Sequence, residues 1–133
     1  MTHEHTIRVY YEDTDAGGIV YYANYLKFLE RARTEWLRML GIEQDGLLEQ
    51  SVGFVVKRVE MDNHRPARFN QLLIVQSEIA ELKRASLTFK QIIIGPDNQC
   101  LVSALIRVAC VDLSKMKPLA IPAFILEEFS RVV

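Results

Sequence analysis

Apolar and polar residues alternate from Ile7 to Glu12, with Ile7, Val9 and Tyr11 on one side and Arg8, Tyr10 and Glu12 on the other. That is the period of a half-buried strand. A polar turn, Asp13-Thr14-Asp15-Ala16-Gly17-Gly18, ends it. Its glycines permit positive φ and close approach of backbone to a ligand, and its short carboxylates can accept nearby backbone N–H groups. The period then becomes helical. Between Asn24 and Leu40, residues Tyr25, Leu26, Leu29, Ala32, Arg33, Trp36, Leu37 and Leu40 recur on one face. Asn24 is the expected N-cap, Gly41 the C-terminal stop, and Arg31 with Glu35 an i,i+4 pair on the wet side. Glu43 to Ser51 is expected to add a helical turn before Gly53 breaks it.

After Gly53 the period returns to two, predicting strands over Phe54 to Asn63 and, beyond the break at His64 to Arg68, over Leu72 to Leu82. A fourth runs from about Ala85 to Ile94. The Gly95-Pro96-Asp97-Asn98 turn leads to a fifth with Val102, Ala104, Ile106, Val108 and Cys110 on one face. Short turns imply antiparallel neighbours. Pro122 to Val133 predicts a last amphipathic helix with Phe124, Ile125, Phe129 and Val132 inward. Strand, long helix, then four strands asks for an α+β layer fold, a five-stranded antiparallel sheet curled around one helix. The other sheet face keeps apolar residues, which points to a homo-oligomer joined through surfaces or edges.

The 133 residues read as one domain, 1–133, and the 50% apolar content is enough for a core without a metal or disulfide staple. A net charge of −1 removes the general attraction of a nonspecific nucleic-acid binder, so an anionic ligand has to be met by local charge. No run reaches the ~18 apolar residues of a membrane span, and Met1 to Asp15 lacks an apolar signal region, so a cytoplasmic location is expected. Cys100 and Cys110, if on one strand, stand roughly 33 Å apart, too far to bridge. Both read as small core residues.

The segment with most chemistry is Tyr10 to Tyr25, which sets Glu12, Asp13 and Asp15 and two glycines just before a helix start. A helix N-terminus offers unpaired N–H groups and a positive dipole end for a developing oxyanion. A carboxylate beside it could serve as base or nucleophile, or the whole could be a solvated capping segment. His3-Glu4-His5 reads as a terminal tail rather than a metal site. His64 reads as an edge or surface histidine, and Arg65 and Arg68 could pair with acids such as Glu60 or touch a ligand. No Gly-x-Ser-x-Gly elbow, phosphate loop or Cys-x-x-Cys pair is present.

From Arg8 to about Glu128 the chain resembles the hotdog-fold acyl-CoA thioesterases of the 4-hydroxybenzoyl-CoA thioesterase type, especially the YbgC-like branch associated with the Tol-Pal system. The motifs are Val9-Tyr10-Tyr11-Glu12-Asp13-Thr14-Asp15-Ala16-Gly17-Gly18, Glu30-Arg31-Ala32-Arg33-Thr34-Glu35, Pro66-Ala67-Arg68, and Cys110-Val111-Asp112 leading to Lys115-Met116-Lys117-Pro118. The resemblance implies a hotdog fold assembled as a homodimer or homotetramer, an acyl-CoA substrate, and no cofactor, coenzyme A being part of the substrate. It makes Asp15 the catalytic carboxylate, preferred over Asp13, and gives backbone N–H groups around Tyr22, Ala23 and Asn24 the carbonyl oxygen.

Tyr22 stands where many YbgC-like members have His, so its side chain is read either as a hydroxyl donor or as packing. Lys83 and Arg84, or Lys115 and Lys117, are the candidates for the phosphates of coenzyme A, each set equally readable as a solvated turn. An acyl carrier protein is a further partner under this reading. The rival functions are a hotdog hydratase or dehydratase and a noncatalytic acyl-CoA or acyl-carrier-protein binding module.

Overall fold

The computed structural model describes residues 1–133. In chain order it has β1 (His3–Arg8), α1 (Asn24–Met39), α2 (Gln44–Glu49), β2 (Val52–Asn63), β3 (Leu72–Leu82), β4 (Ser86–Ile94), β5 (Cys100–Asp112), β6 (Lys117–Pro118) and α3 (Ala123–Val132). The main strands form one antiparallel sheet in the order β1-β3-β4-β5-β2, and the two-residue β6 extends it to six by pairing with the end of β5. This is the α+β arrangement expected, one strand richer. Because β1 runs antiparallel to β3, with Arg8 opposite Leu72, the end of β1 lies beside the start of β3. The β3–β4 turn therefore lies at the other end of the sheet.

α1 lies on the inner face of the sheet and packs against β1 and β3. Its Phe28, Leu29, Ala32, Trp36 and Leu37 enter the core with Val75, Phe89, Ile93 and Ile106 from the strands. Leu26 is exposed, so the apolar stripe is narrower than its sequence implies. Gly41, at φ +82°, follows the helix as expected of a stop. Below the middle of α1 runs a buried polar line. The Gln91 amide donates to the Leu29 carbonyl (3.0 Å) and to the Ser77 hydroxyl (2.9 Å), and the Arg33 guanidinium donates to Gln91 Oε1 (3.0 Å). On α3, Ile125, Phe129 and Val132 are buried. Phe124, expected inward, is exposed because it sits about 100° around the helix from Ile125.

Several local expectations change. The first strand begins four residues early, at His3, and ends at Arg8; Tyr11–Asp13 form a single 3-10 turn instead of its continuation. His3-Glu4-His5 are thus strand rather than tail. The His3 ring stacks on Trp36, centroids 5.7 Å apart and planes 5° from parallel. Asn24 is the first helical residue, with Ala23 in the cap position. Glu35 pairs with Arg38, not Arg31, and Glu60 pairs with Arg58. Cys110 is buried, but Cys100, at the open start of β5, is exposed; both are free thiols.

Each edge strand has its own character. β2 is long, and a bulge between Val56 and Arg58 shifts its phase. As a result Phe54, Val56, Val59 and Met61 all face inward, opposite Cys110, Val108, Ile106 and Ala104. Because α1 sits over the other half of the sheet, Val56 remains 50% exposed and Val59 40%.

Burial holds the His3 imidazole below its ordinary pKa, with His5 adding repulsion and Glu35 and Glu4 opposing it. As the pH falls through about 6.5, the unfolded chain takes up a proton more readily than the folded one, so stability is lost on the acid side. Urea midpoints measured from about pH 8 to pH 5 should decline in the native chain and decline less in His3→Phe.

Candidate active site

The loop between β1 and α1 assigns its two aspartates to different tasks. Asp13 is 8% exposed, and its Oδ2 accepts the Tyr10 N–H at 2.8 Å. Its carbonyl accepts the Tyr21 N–H (3.0 Å) and the Asn24 side-chain amide (2.9 Å), which clips the start of α1 to the loop. This is why Asn24 does not cap: its side chain is already bound to Asp13. Asp15 is held through its backbone, the N–H donating to the Ile19 carbonyl (2.9 Å) and the carbonyl accepting from Gly18 (3.1 Å). Asp15 Oδ1 accepts the Gly17 N–H at 2.8 Å, leaving Oδ2 without a protein partner. A Cβ at Gly17 would stand 3.2 Å from that Oδ1, and Gly18 has φ +78°. Both glycines serve the turn that presents Asp15, one by closeness and one by handedness.

The loop docks onto the β2–β3 connection, where Val20 donates to the Ala67 carbonyl (2.8 Å) and Ile19 bridges to Arg68. The Tyr25 hydroxyl accepts the Ala67 N–H at 3.0 Å, and burial raises the Tyr25 pKa above its usual value. Asp15 opens on a cleft of about 470 Å³ shared with Tyr11, Thr14, Ala16, Gly18 and Phe69. Tyr11 and Phe69 meet edge to face across it, centroids 5.9 Å apart. In a single protomer Asp15 is exposed. This cleft is open to solvent.

At the start of α1 the Asn24 N–H donates to the Tyr21 carbonyl at 2.8 Å. The Tyr22 and Ala23 N–H groups have no acceptor in the chain. Of the three donors expected, two are free and Asn24 is occupied. The Tyr22 side chain is exposed and leans on Tyr21, centroids 5.0 Å apart, and it does not line the Asp15 cleft.

The four basic candidates gather at the other end of the sheet. Arg84 accepts the Ile121 N–H through its carbonyl, and Lys117 in β6 stands opposite Asp112 at the end of β5. Lys83 is paired with Glu81 at 3.0 Å. The Lys115 N–H donates to Asp112 Oδ1, whose pKa is lowered mainly by the Ser114 hydroxyl, and the lysine side chain is exposed. The length of β3, 11 residues, separates them from Asp15, roughly 33 Å. They do not reach the Asp15 cleft of their own protomer. At the Asp15 end Arg65 and Arg68 flank a second cleft with Gln71 and Asp97. His64 is bonded to the Ser103 hydroxyl at 2.8 Å.

A Thioesterase-like superfamily model matches residues 9–129. A Haemophilus influenzae protein named acyl-CoA thioesterase YbgC is 51% identical over 117 residues, 87% of this chain and 85% of the relative. An Escherichia coli O6:H1 protein named acyl-CoA thioester hydrolase YbgC is 46% identical over 125 residues, 94% and 93% of the two chains. The crystal structure of a probable thioesterase from Bartonella henselae superimposes with a TM-score of 0.81 at 35% identity, covering 91% of this chain and 98% of that one.

The division of labour between the two aspartates can be measured in unfolding experiments. Asp13→Ala should lower stability by about 1 kcal/mol, since it strips the partly buried Tyr10 N–H of its acceptor. Asp15→Ala should stay within about 0.5 kcal/mol of the native chain.

The fold, the Asp15 turn with the open amides at the start of α1, and the matches over nearly the whole length agree on one assignment: this chain belongs to the Thioesterase-like superfamily.

Proposed function

We propose that this chain hydrolyses acyl-CoA thioesters to a free acid and coenzyme A, with Asp15 as the catalytic carboxylate. The relatives named as acyl-CoA thioester hydrolases support the reaction. The observation that carries the residue assignment is that a glycine turn presents Asp15 on a roomy aromatic cleft, with one carboxylate oxygen unbonded, while Asp13 is buried away from that cleft. Asp15 either attacks the thioester carbonyl, giving an anhydride that water opens, or takes a proton from the attacking water. The unpaired N–H groups of Tyr22 and Ala23 stabilise negative charge on the carbonyl oxygen as it develops. The thiolate leaves readily, so the site needs no strong general acid.

The distance between Asp15 and the basic end of the sheet makes the second copy part of this reading. β2 is a free edge with a half-exposed apolar inner face. Two copies pairing antiparallel along β2 bring the β3–β4 turn of one toward the Asp15 loop of the other. Lys83, Arg84, Lys115 and Lys117 of one copy would then meet the phosphates of a coenzyme A whose thioester lies at Asp15 of the next.

In a thiol-release assay with a panel of acyl-CoAs, Asp15→Asn should lower kcat about 100-fold or more, with little change in the urea midpoint; full activity in this variant would overturn the assignment. Mixing Asp15→Asn chains with chains in which all four bases are replaced by alanine should restore activity that neither parent has. No recovery in verified mixed dimers would place the phosphates elsewhere.

A further inference from the structure

Arg33 is a charged side chain in an unusual position. It lies mid-helix on the inner side of α1 and is 9% exposed, with no carboxylate in salt-bridge contact. Its guanidinium gives one hydrogen bond, to the neutral Gln91 amide, and stands 5.9 Å from the Phe89 ring centre. Burial lowers its proton affinity, countered by Glu30. An unpaired charge buried in this way costs several kcal/mol, and an anion placed beside it offsets that cost.

Arg33 borders a cavity of about 110 Å³ between α1, the sheet and α3, where Leu37, Phe54, Leu87, Val108 and Phe129 supply apolar walls. That is somewhat smaller than a cavity of about 150 Å³ that accepts benzene, so it holds a few carbons and a head group. Glu30, at the rim, accepts the Thr34 hydroxyl at 3.1 Å and is itself exposed. The inward side chains of β2, namely Met61, Val59 and Val56, continue the apolar surface toward the end of the sheet that holds Asp15. Ala23 and Arg33 are ten residues apart, roughly 15 Å along α1. Less the reach of the arginine side chain, that is the length of a medium-chain acyl group.

We infer that this cavity and the apolar inner face of β2 beside it receive the acyl chain of the substrate and that Arg33 reads its far end, selecting a terminal carboxylate over a methyl group. The inference rests on the acyl-CoA hydrolysis proposed above and adds the substrate class. The apolar walls bind the methylene chain without discriminating among chain ends, and the guanidinium supplies the discrimination.

The test compares suberyl-CoA, as its monothioester, with octanoyl-CoA, two substrates of equal chain length. The native protein should favour suberyl-CoA in kcat/KM by about tenfold or more, the value of a charge-assisted hydrogen bond in a desolvated site. Arg33→Met should reverse or abolish that ratio, and Arg33→Lys, which keeps the charge, should retain part of it. A ratio of one or less in the native protein, or an unchanged ratio in a folded Arg33→Met, overturns the inference. Should Arg33→Met not fold, the native ratio and the lysine variant still decide. If no acyl-CoA is cleaved at all, the hydrolase reading fails, and calorimetry of suberate against octanoate on the native protein judges the Arg33 pocket separately. Tighter suberate binding supports the pocket, and equal or weaker binding refutes it.

Discussion

One helix is too narrow for this sheet. An α-helix with its side chains is about 10–12 Å across, whereas five strands at about 4.8 Å spacing span roughly 19 Å between their outer axes. α1 lies over β1 and β3, and α3 contributes Ile125, Phe129 and Val132 to the same core. The inner face of β2 is left half open. The core is complete on the β1 side, and the space on the other side, between α1, β5 and β2, is where the Arg33 cavity lies.

The loop between β1 and α1 obeys a second constraint, set by hydrogen bonding. The chain leaves β1, makes one 3-10 turn and reaches the start of α1, with Asp13 joining all three through its carboxylate and its carbonyl. Once Asp13 is committed, the turn that follows holds Asp15 by its backbone and leaves one carboxylate oxygen unpaired. Two acids of the same type, two residues apart, therefore differ in setting because one is buried under the loop and the other lines the cleft. The open amides of Tyr22 and Ala23 follow from the same loop, since Tyr21 and Asn24 take the acceptors nearest the helix start.

Much of this was legible from residue order. Period two and period 3.6 located α1, β3 and β4 to within a residue or two, and the inward face of β5, because these elements bury one clean apolar side. The start of β1 was missed because its inward positions before Ile7 are His3 and His5, which carry no hydrophobic signal even though the His3 ring packs on Trp36. Phe124 was misjudged by one step of helical phase. Residue type alone does not distinguish Asp15 from Asp13; what separates their settings is burial, which depends on how the loop docks. The distance from Asp15 to Lys83 depends on β1 pairing with β3, a long-range contact that no local pattern encodes. Arg33 was visible on the apolar face of its helix, but its lack of a carboxylate partner emerges only when the strands are in place.

The bulge in β2 has a consequence for how far association can proceed. An irregular edge tolerates few alignments, so it discourages the continuous strand addition that a flat edge invites. Joining two copies by a two-fold axis through β2, as proposed, would consume that edge on both. The rim remaining at each outer flank is β1, where Glu4 and Arg8 are exposed. Ionic side chains on a short terminal strand guard against ribbon growth, so such a pair would stay closed rather than extend into filaments.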